Sequence, residues 1–194
     1  VLAHRFLIGS LVFLLYRIVS KSKTTIKKKD WKILLPLTLS YPIAYFLFQA
    51  IALSQISSGE VGIIFAGSPA ITLLIASIFI GEKSTTLQKM GIFISIIGVV
   101  LIFVLQGTSF NASSISGYTW AFTAAIVFAI YNTHARVVLK QFKFIDVTEF
   151  LLVVGAIVYN IIAIPKGISN YFEPFANTEY ILAILYIGVF ASVF

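Results

Sequence analysis

Within an otherwise apolar run, Tyr41, Tyr45 and Gln49 recur at four-residue spacing, which places all three on one face of a helix. A phenol surrounded by hydrocarbon needs a hydrogen-bonding partner, and a glutamine amide offers both a donor and an acceptor. Pro42 stands beside them and leaves one backbone carbonyl without its helical partner. A second group, Tyr131, Asn132 and His134, occupies the inner half of a later apolar segment. There Tyr131 and His134 share a side from which Asn132 is turned away. These side chains suit hydrogen-bonded recognition of a polar solute, and a histidine in such a segment can also relay a proton. The same faces would equally serve hydrogen bonding between helices, worth about 0.6–2 kcal/mol per contact. His134 lies about one turn from a segment end, where Arg136 can snorkel to water. At this level both roles stay open.

Covalent chemistry finds no support. The chain has no cysteine, and its two histidines, His4 and His134, are far apart in sequence, so neither a thiolate nor a metal-ligand cluster can be drawn. It carries no nucleophile elbow, zinc-protease pair, phosphate-cradling glycine loop or dinucleotide fingerprint. The expectation is a protein without catalytic residues, metal or cofactor.

Composition says what elements must position the polar groups. Hydrophobic residues make up 59% of the 194 and charged residues 11%, with mean hydropathy +1.01. Soluble domains average about 45–50% apolar and about 25% charged, and a chain of this length cannot hide such an excess in one core. The expected fold class is all-α, a polytopic transmembrane helix bundle. Seven apolar segments can be drawn, roughly 4–19, 33–53, 60–81, 88–105, 118–138, 148–165 and 178–194. The sequence enters its first apolar segment at once and stops inside its last, so a longer protein is expected around it.

The net charge of +7 does not point to nucleic acid, because the basic residues sit in short loops between apolar segments. Twelve of the fourteen Lys and Arg fall in alternate loops: Arg17 to Lys32, Lys83 with Lys89, and Arg136 to Lys143. The positive-inside rule makes that side cytoplasmic, including the Lys-rich loop 20–32, in a cell (inner) membrane. The intervening loops carry only Lys166, and Arg5 stands at the starting end. The uncharged stretch 106–117 then lies outside and reads as a linker, with Asn111-Ala112-Ser113 a formal glycosylation triplet.

The segment from Ser57 to Lys83 holds about 20 uncharged residues between Glu60 and Glu82, enough to cross a bilayer core. Pro69 sits within it, beside Gly62, Ala66, Gly67 and Ala70. Gly62, Ala66 and Ala70 form a small-residue stripe suited to close helix packing, and Gly91, Ser95 and Gly98 form another. Pro69 reads as either a packing kink or a hinge. Glu60 and Glu82 mark segment ends, where Glu60 is favoured by the helix N-terminus it opens.

The stretch Ala52–Ile102 resembles the EamA-type drug/metabolite transporters. In that family a small-residue helix with a central proline ends in Gly-Glu, and a glycine-containing helix ending in Gly-Val follows. Pro69, Gly81, Glu82, Gly91, Gly98 and Val99 occupy those positions. Arg5-Phe6 and the stretch from Gly117 to Tyr131 look like the family as well. The resemblance implies ten helices in two five-helix inverted repeats around a midplane cavity, of which the second through eighth are visible here. Residues 1–105 would complete the first repeat, 106–117 link the two, and 118–194 open the second. The first helix, which carries a proton-coupling glutamate in small multidrug relatives, would lie outside this sequence.

The function expected is secondary active transport of a small polar or zwitterionic metabolite by alternating access. Tyr41, Tyr45, Gln49, Tyr131, Asn132 and His134 would bind the solute, and Gly62, Ala66, Gly67 and Pro69 would supply a hinge or a close contact. The expected partners are the lipid bilayer, a small-molecule substrate and a coupling proton or other ion. A membrane scaffold or sensor using the same faces only for packing is the alternative.

Overall fold

A computed structural model describes residues 1–81, 83–105 and 114–193. Every regular element among the described residues is helical. Short 3-10 turns aside, the elements in chain order are α1 (Leu2–Ser20), α2 (Trp31–Thr38), a kinked stretch (Leu39–Ala44), α3 (Tyr45–Leu53), α4 (Ser58–Ala66) and α5 (Ser68–Ile80). They continue with α6 (Thr86–Leu105), α7 (Ile115–Val138), α8 (Phe144–Ala163), the short α9 (Ile168–Phe172) and α10 (Thr178–Val193). Five stretches, Leu2–Ser20, Lys28–Leu53, Ser58–Ile80, Ile115–Val138 and Phe144–Ala163, are long and apolar enough to cross a bilayer. The helices α6 and α10 fall where the fourth and seventh apolar segments were drawn. Side chains that water would not tolerate are left outside: Ile78 and Phe79 are each 77% exposed, as a lipid-facing surface requires. The chain is a polytopic helical membrane protein. The expected linker 106–117 lies outside the described residues over 106–113, as does Glu82.

The chain divides into two compact units, Val1–Thr38 with Val138–Phe194, and Leu39–Val137. In the first, α1 packs along α8 and α10. Phe6, Leu34, Leu37 and Ile184 are almost fully buried, and Phe6 stacks on Tyr159 with centroids 5.5 Å apart. Gly188 is needed for the α1–α10 approach, because an added Cβ would stand 2.9 Å from Ile8 Cγ2 and 3.3 Å from the Arg5 carbonyl. At one end of the α1–α8 pair, Asn160 Nδ2 donates to the Ala3 carbonyl at 3.3 Å, and Tyr171 donates to Asn160 Oδ1 at 2.5 Å. Burial pushes the Tyr171 phenol up from its ordinary value, so it stays protonated and remains a donor. Tyr159 and Asn160, polar residues near the end of their segment, thus serve packing in this unit.

The other end of that pair is held by charge. Arg17, in the last turn of α1, reaches Asp146 and Glu149 at the start of α8. Its Nε donates to Glu149 Oε2 at 2.9 Å, its Nη2 approaches the same oxygen at 2.6 Å, and its Nη1 donates to Ser22 Oγ at 3.2 Å. Nη2 also donates to Asp146 Oδ1. Asp146 Oδ2 accepts from the Thr25 hydroxyl and from the Thr25 backbone N–H, the latter at 3.1 Å. The aspartate is 1% exposed and Arg17 8%, so neither charge is solvated and both rely on partners within the cluster. An acidic residue in the first turn also suits the positive end of the α8 dipole. Removing one partner from a buried pair strands the other charge, at a cost of about 3–5 kcal/mol. Asp146→Asn leaves Arg17 paired with Glu149, so it is expected to lower unfolding stability by less, about 1.5–3 kcal/mol, measured by denaturation of the full-length protein in detergent.

Candidate functional site

The second unit contains both interruptions of its long apolar stretches. At Tyr41 the backbone is extended (φ −140°, ψ 124°), which kinks the stretch Leu39–Ala44, and the Tyr41–Pro42 peptide is cis. Proline brings no N–H to the helical ladder, and the chain resumes regular helix only at Tyr45. The second interruption falls at Gly67, two residues before Pro69. Gly67 closes α4 with its N–H on the Ile64 carbonyl at 3.1 Å, and its own carbonyl accepts from Ala70 at 3.0 Å to open α5. Pro69 then lies in the first turn of α5, a position where a missing N–H costs nothing. The bend expected at the proline is thus a break at the glycine before it.

Aromatic rings gather beside these breaks. Tyr41 stacks on Tyr131 of α7 with centroids 4.7 Å apart, and Tyr41 and Tyr45 are 5.5 Å apart. Phe128, one turn before Tyr131, stands 5.1 Å from Tyr45, and Phe65 at the end of α4 stands 5.5 Å from it. Gln49 Nε2 donates to the Tyr45 hydroxyl at 3.1 Å. These side chains are only partly buried. The arrangement can offer π faces to a cation together with hydroxyl and amide groups for hydrogen bonding.

Of the six solute-binding candidates, four are brought together: Tyr41, Tyr45, Gln49 and Tyr131. Asn132 and His134 are half-buried on α7, and each is rotated by about a quarter turn, in opposite senses, from the direction set by Phe128 and Tyr131. They flank the cluster. Sequence reading omitted Phe65 and Phe128, which lacked polar atoms, though Phe128 is three residues from Tyr131. Gly62, Ala66 and Pro69 are exposed, and an added Cβ at Gly62 would meet nothing within 4 Å. The inward face of α4 is instead Val61, Ile64 and Phe65, which pack with Ala52, Ile56, Ala121 and Trp120. Among the described residues no group of three or more His, Asp or Glu could hold a metal.

Glu60 does more than mark a helix end. Its carboxylate accepts from the Ser57 backbone N–H at 2.8 Å while Ser57 Oγ accepts from the Glu60 N–H at 3.3 Å, a reciprocal cap on α4. The Tyr118 hydroxyl of α7 donates to its other oxygen at 2.5 Å. This bond fastens the start of α4 to α7, the two helices that supply Phe65 and Tyr131. The Arg17–Asp146–Glu149 cluster was also missed by sequence reading. Its signal was a cation inside one apolar run and two carboxylates, three residues apart, opening another. Their pairing spans 129 residues.

Residues 1–104 match the EamA-like transporter family. The chain belongs to that family. It is 36% identical to the uncharacterized transporter YcxC of Bacillus subtilis over 99% of its own length and 63% of the relative's. It is also 26% identical to an uncharacterized transporter of Archaeoglobus fulgidus, covering 98% of this chain and 64% of that one. The chain therefore spans a little under two thirds of these EamA-type relatives. A crystal structure 19% identical in sequence shares the fold, with a TM-score of 0.75 over 97% of this chain and 63% of the other. Within that fold, Gly81, where the family pattern reads Gly-Glu, caps α5 in a left-handed conformation (φ 64°) that glycine adopts without strain.

The Tyr118–Glu60 bond can be tested alone. A hydrogen bond to a charged group contributes about 1.5–3 kcal/mol, and partial exposure places this one at the lower end. Tyr118→Phe is expected to cost about 1.5 kcal/mol in equilibrium unfolding of the full-length protein.

Proposed function

We propose that this chain forms the core of a secondary transporter that moves a small polar or zwitterionic metabolite across a cytoplasmic membrane by alternating access. The observation that carries this reading is the cluster of Tyr41, Tyr45 and Tyr131 with Gln49, gathered at a broken helix. Transporters place solutes where spanning helices are discontinuous, because unwound backbone is tolerated at membrane depth only where it is buried or lines a cavity. Ring faces attract an ammonium group, while phenol and amide groups hydrogen-bond to carboxylate or carbonyl oxygens. That pairing suits a zwitterion. Asn132 and His134 stand at the margins, positioned to extend the contacts to a larger solute. The names of the B. subtilis and A. fulgidus relatives, both transporters, support the general class.

In this reading the Lys-rich stretch 20–32 faces the cytoplasm, in accord with the distribution of basic residues. Residues 1–105 and 118–194 belong to two repeats that rock about the solute, and a proton or another ion supplies the driving force. The break at Gly67, with Pro69 just inside the following helix and Gly62 and Ala66 before it, acts as the hinge of its span.

Transport by the full-length protein in proteoliposomes tests the assignment. Tyr45→Ala and Asn132→Ala are each expected to lower initial transport at subsaturating solute about tenfold, the equivalent of about 1.4 kcal/mol. Unchanged rates in both variants remove these residues from the site. Cysteines placed at 45 and 49 separate transport from a packing-only role, since a face that only packs would be unreactive from both sides of the membrane.

A further inference from the structure

We propose that Arg17, Asp146 and Glu149 form an ionic latch closing the cytoplasmic end of the α1–α8 contact, and that Glu149 is the arm that releases when the protein opens inward. This rests on the transport reading above and adds a named contact that must break. The two carboxylates share one guanidinium but are held in different ways. Asp146 is 1% exposed and uses both oxygens, one on Arg17 and the other on the Thr25 backbone and hydroxyl. It is the fixed anchor, because moving it would undo three contacts and the loop that carries Thr25. Glu149 is 20% exposed and meets Arg17 through Oε2 alone. Among the described residues its second oxygen has no partner.

Glu149 also has somewhere to go. It lines a cavity of about 540 Å³ whose wall includes Lys28, Trp31, Phe150 and Val153. Lys28 lines the same cavity and is the cation to which the released carboxylate would turn. Arg17 in turn keeps Asp146 when Glu149 departs. A contact with two available arrangements is what a conformational switch requires. At the opposite end of the same helix pair Asn160 donates to the Ala3 carbonyl and Phe6 stacks on Tyr159. By sequence order α1 belongs to the first proposed repeat and α8 to the second, so the latch sits where the two proposed repeats meet within one compact unit.

A buried reporter reads the latch directly. Leu152 lies three residues beyond Glu149 on α8 and is 4% exposed, and the 194 residues contain no cysteine. In the full-length protein, cleared of cysteines elsewhere, Leu152→Cys is labelled with a membrane-impermeant maleimide supplied from the cytoplasmic side. Adding Glu149→Gln is expected to raise the labelling rate at least about fivefold with little change in thermal midpoint. A rate within about twofold of the parent overturns the proposal. Should Glu149→Gln fail to fold, Lys28→Gln decides, being an exposed substitution. It is expected to slow labelling by removing the second partner, and an unchanged rate counts against the latch. Labelling requires no solute. Faster labelling without transport of any solute would sink the transport reading and leave the latch, whereas solute transport with unchanged labelling would sink the latch alone.

Discussion

The bilayer interior supplies no water to satisfy backbone N–H and C=O groups, and each unsatisfied group costs several kcal/mol. That constraint dictates helix throughout the apolar stretches of this chain, and it makes every departure from helix informative. The second unit has two departures, and at one of them the loss is small. At Gly67 the glycine closes one helix and opens the next, so Pro69 falls where a helix has no N–H to miss. At Tyr41 an extended residue and a proline interrupt the ladder beside five partly buried aromatic and amide side chains. The tyrosines and Gln49 place polar atoms beside that irregular backbone.

Charge follows the same logic under a heavier penalty. Arg17 and Asp146 are withdrawn from solvent in the first unit and are tolerated because each meets the other and because Thr25 fills the remaining capacity of the aspartate. Glu60 remains partly exposed at the start of α4 and is held by three groups that all favour its ionised form: the Ser57 N–H, the Ser57 hydroxyl and the Tyr118 hydroxyl. Packing between the helices relies less on burial from water than on close contact, as in the seat that Gly188 makes for Ile8. The difference between the two ends of the α1–α8 pair is therefore a difference in kind. One end is joined by the Asn160 hydrogen bond and stacked rings, the other by the ion cluster around Arg17.

Much of the candidate site was legible in the chain because four-residue spacing survives folding. Tyr41 and Tyr45 remain neighbours, and Gln49 meets Tyr45 one turn on. Tyr131 joined them only through the packing of α7, and its ring contacts with Tyr41 link residues ninety positions apart. Asn132 and His134 shared its segment, but their rotation around α7 sets them to either side. Phe65 and Phe128 were invisible as site residues, since an apolar ring in an apolar run carries no signal of its own. The break near Pro69 was expected from proline chemistry. Its placement at Gly67 depended on how α4 terminates.

By itself the sequence determined the helical membrane class, the positions of the apolar segments and the family, because hydropathy, segment length and the Pro69 to Gly98 pattern are properties of the chain read in order. The tertiary structure decided which polar groups meet. Arg17 and Asp146 are separated by 129 residues, and neither composition nor periodicity selects that partner from the other charges. Only the packing of α1 along α8 brings the two within reach, and only their burial there turns ordinary helix-end charges into a buried ion pair.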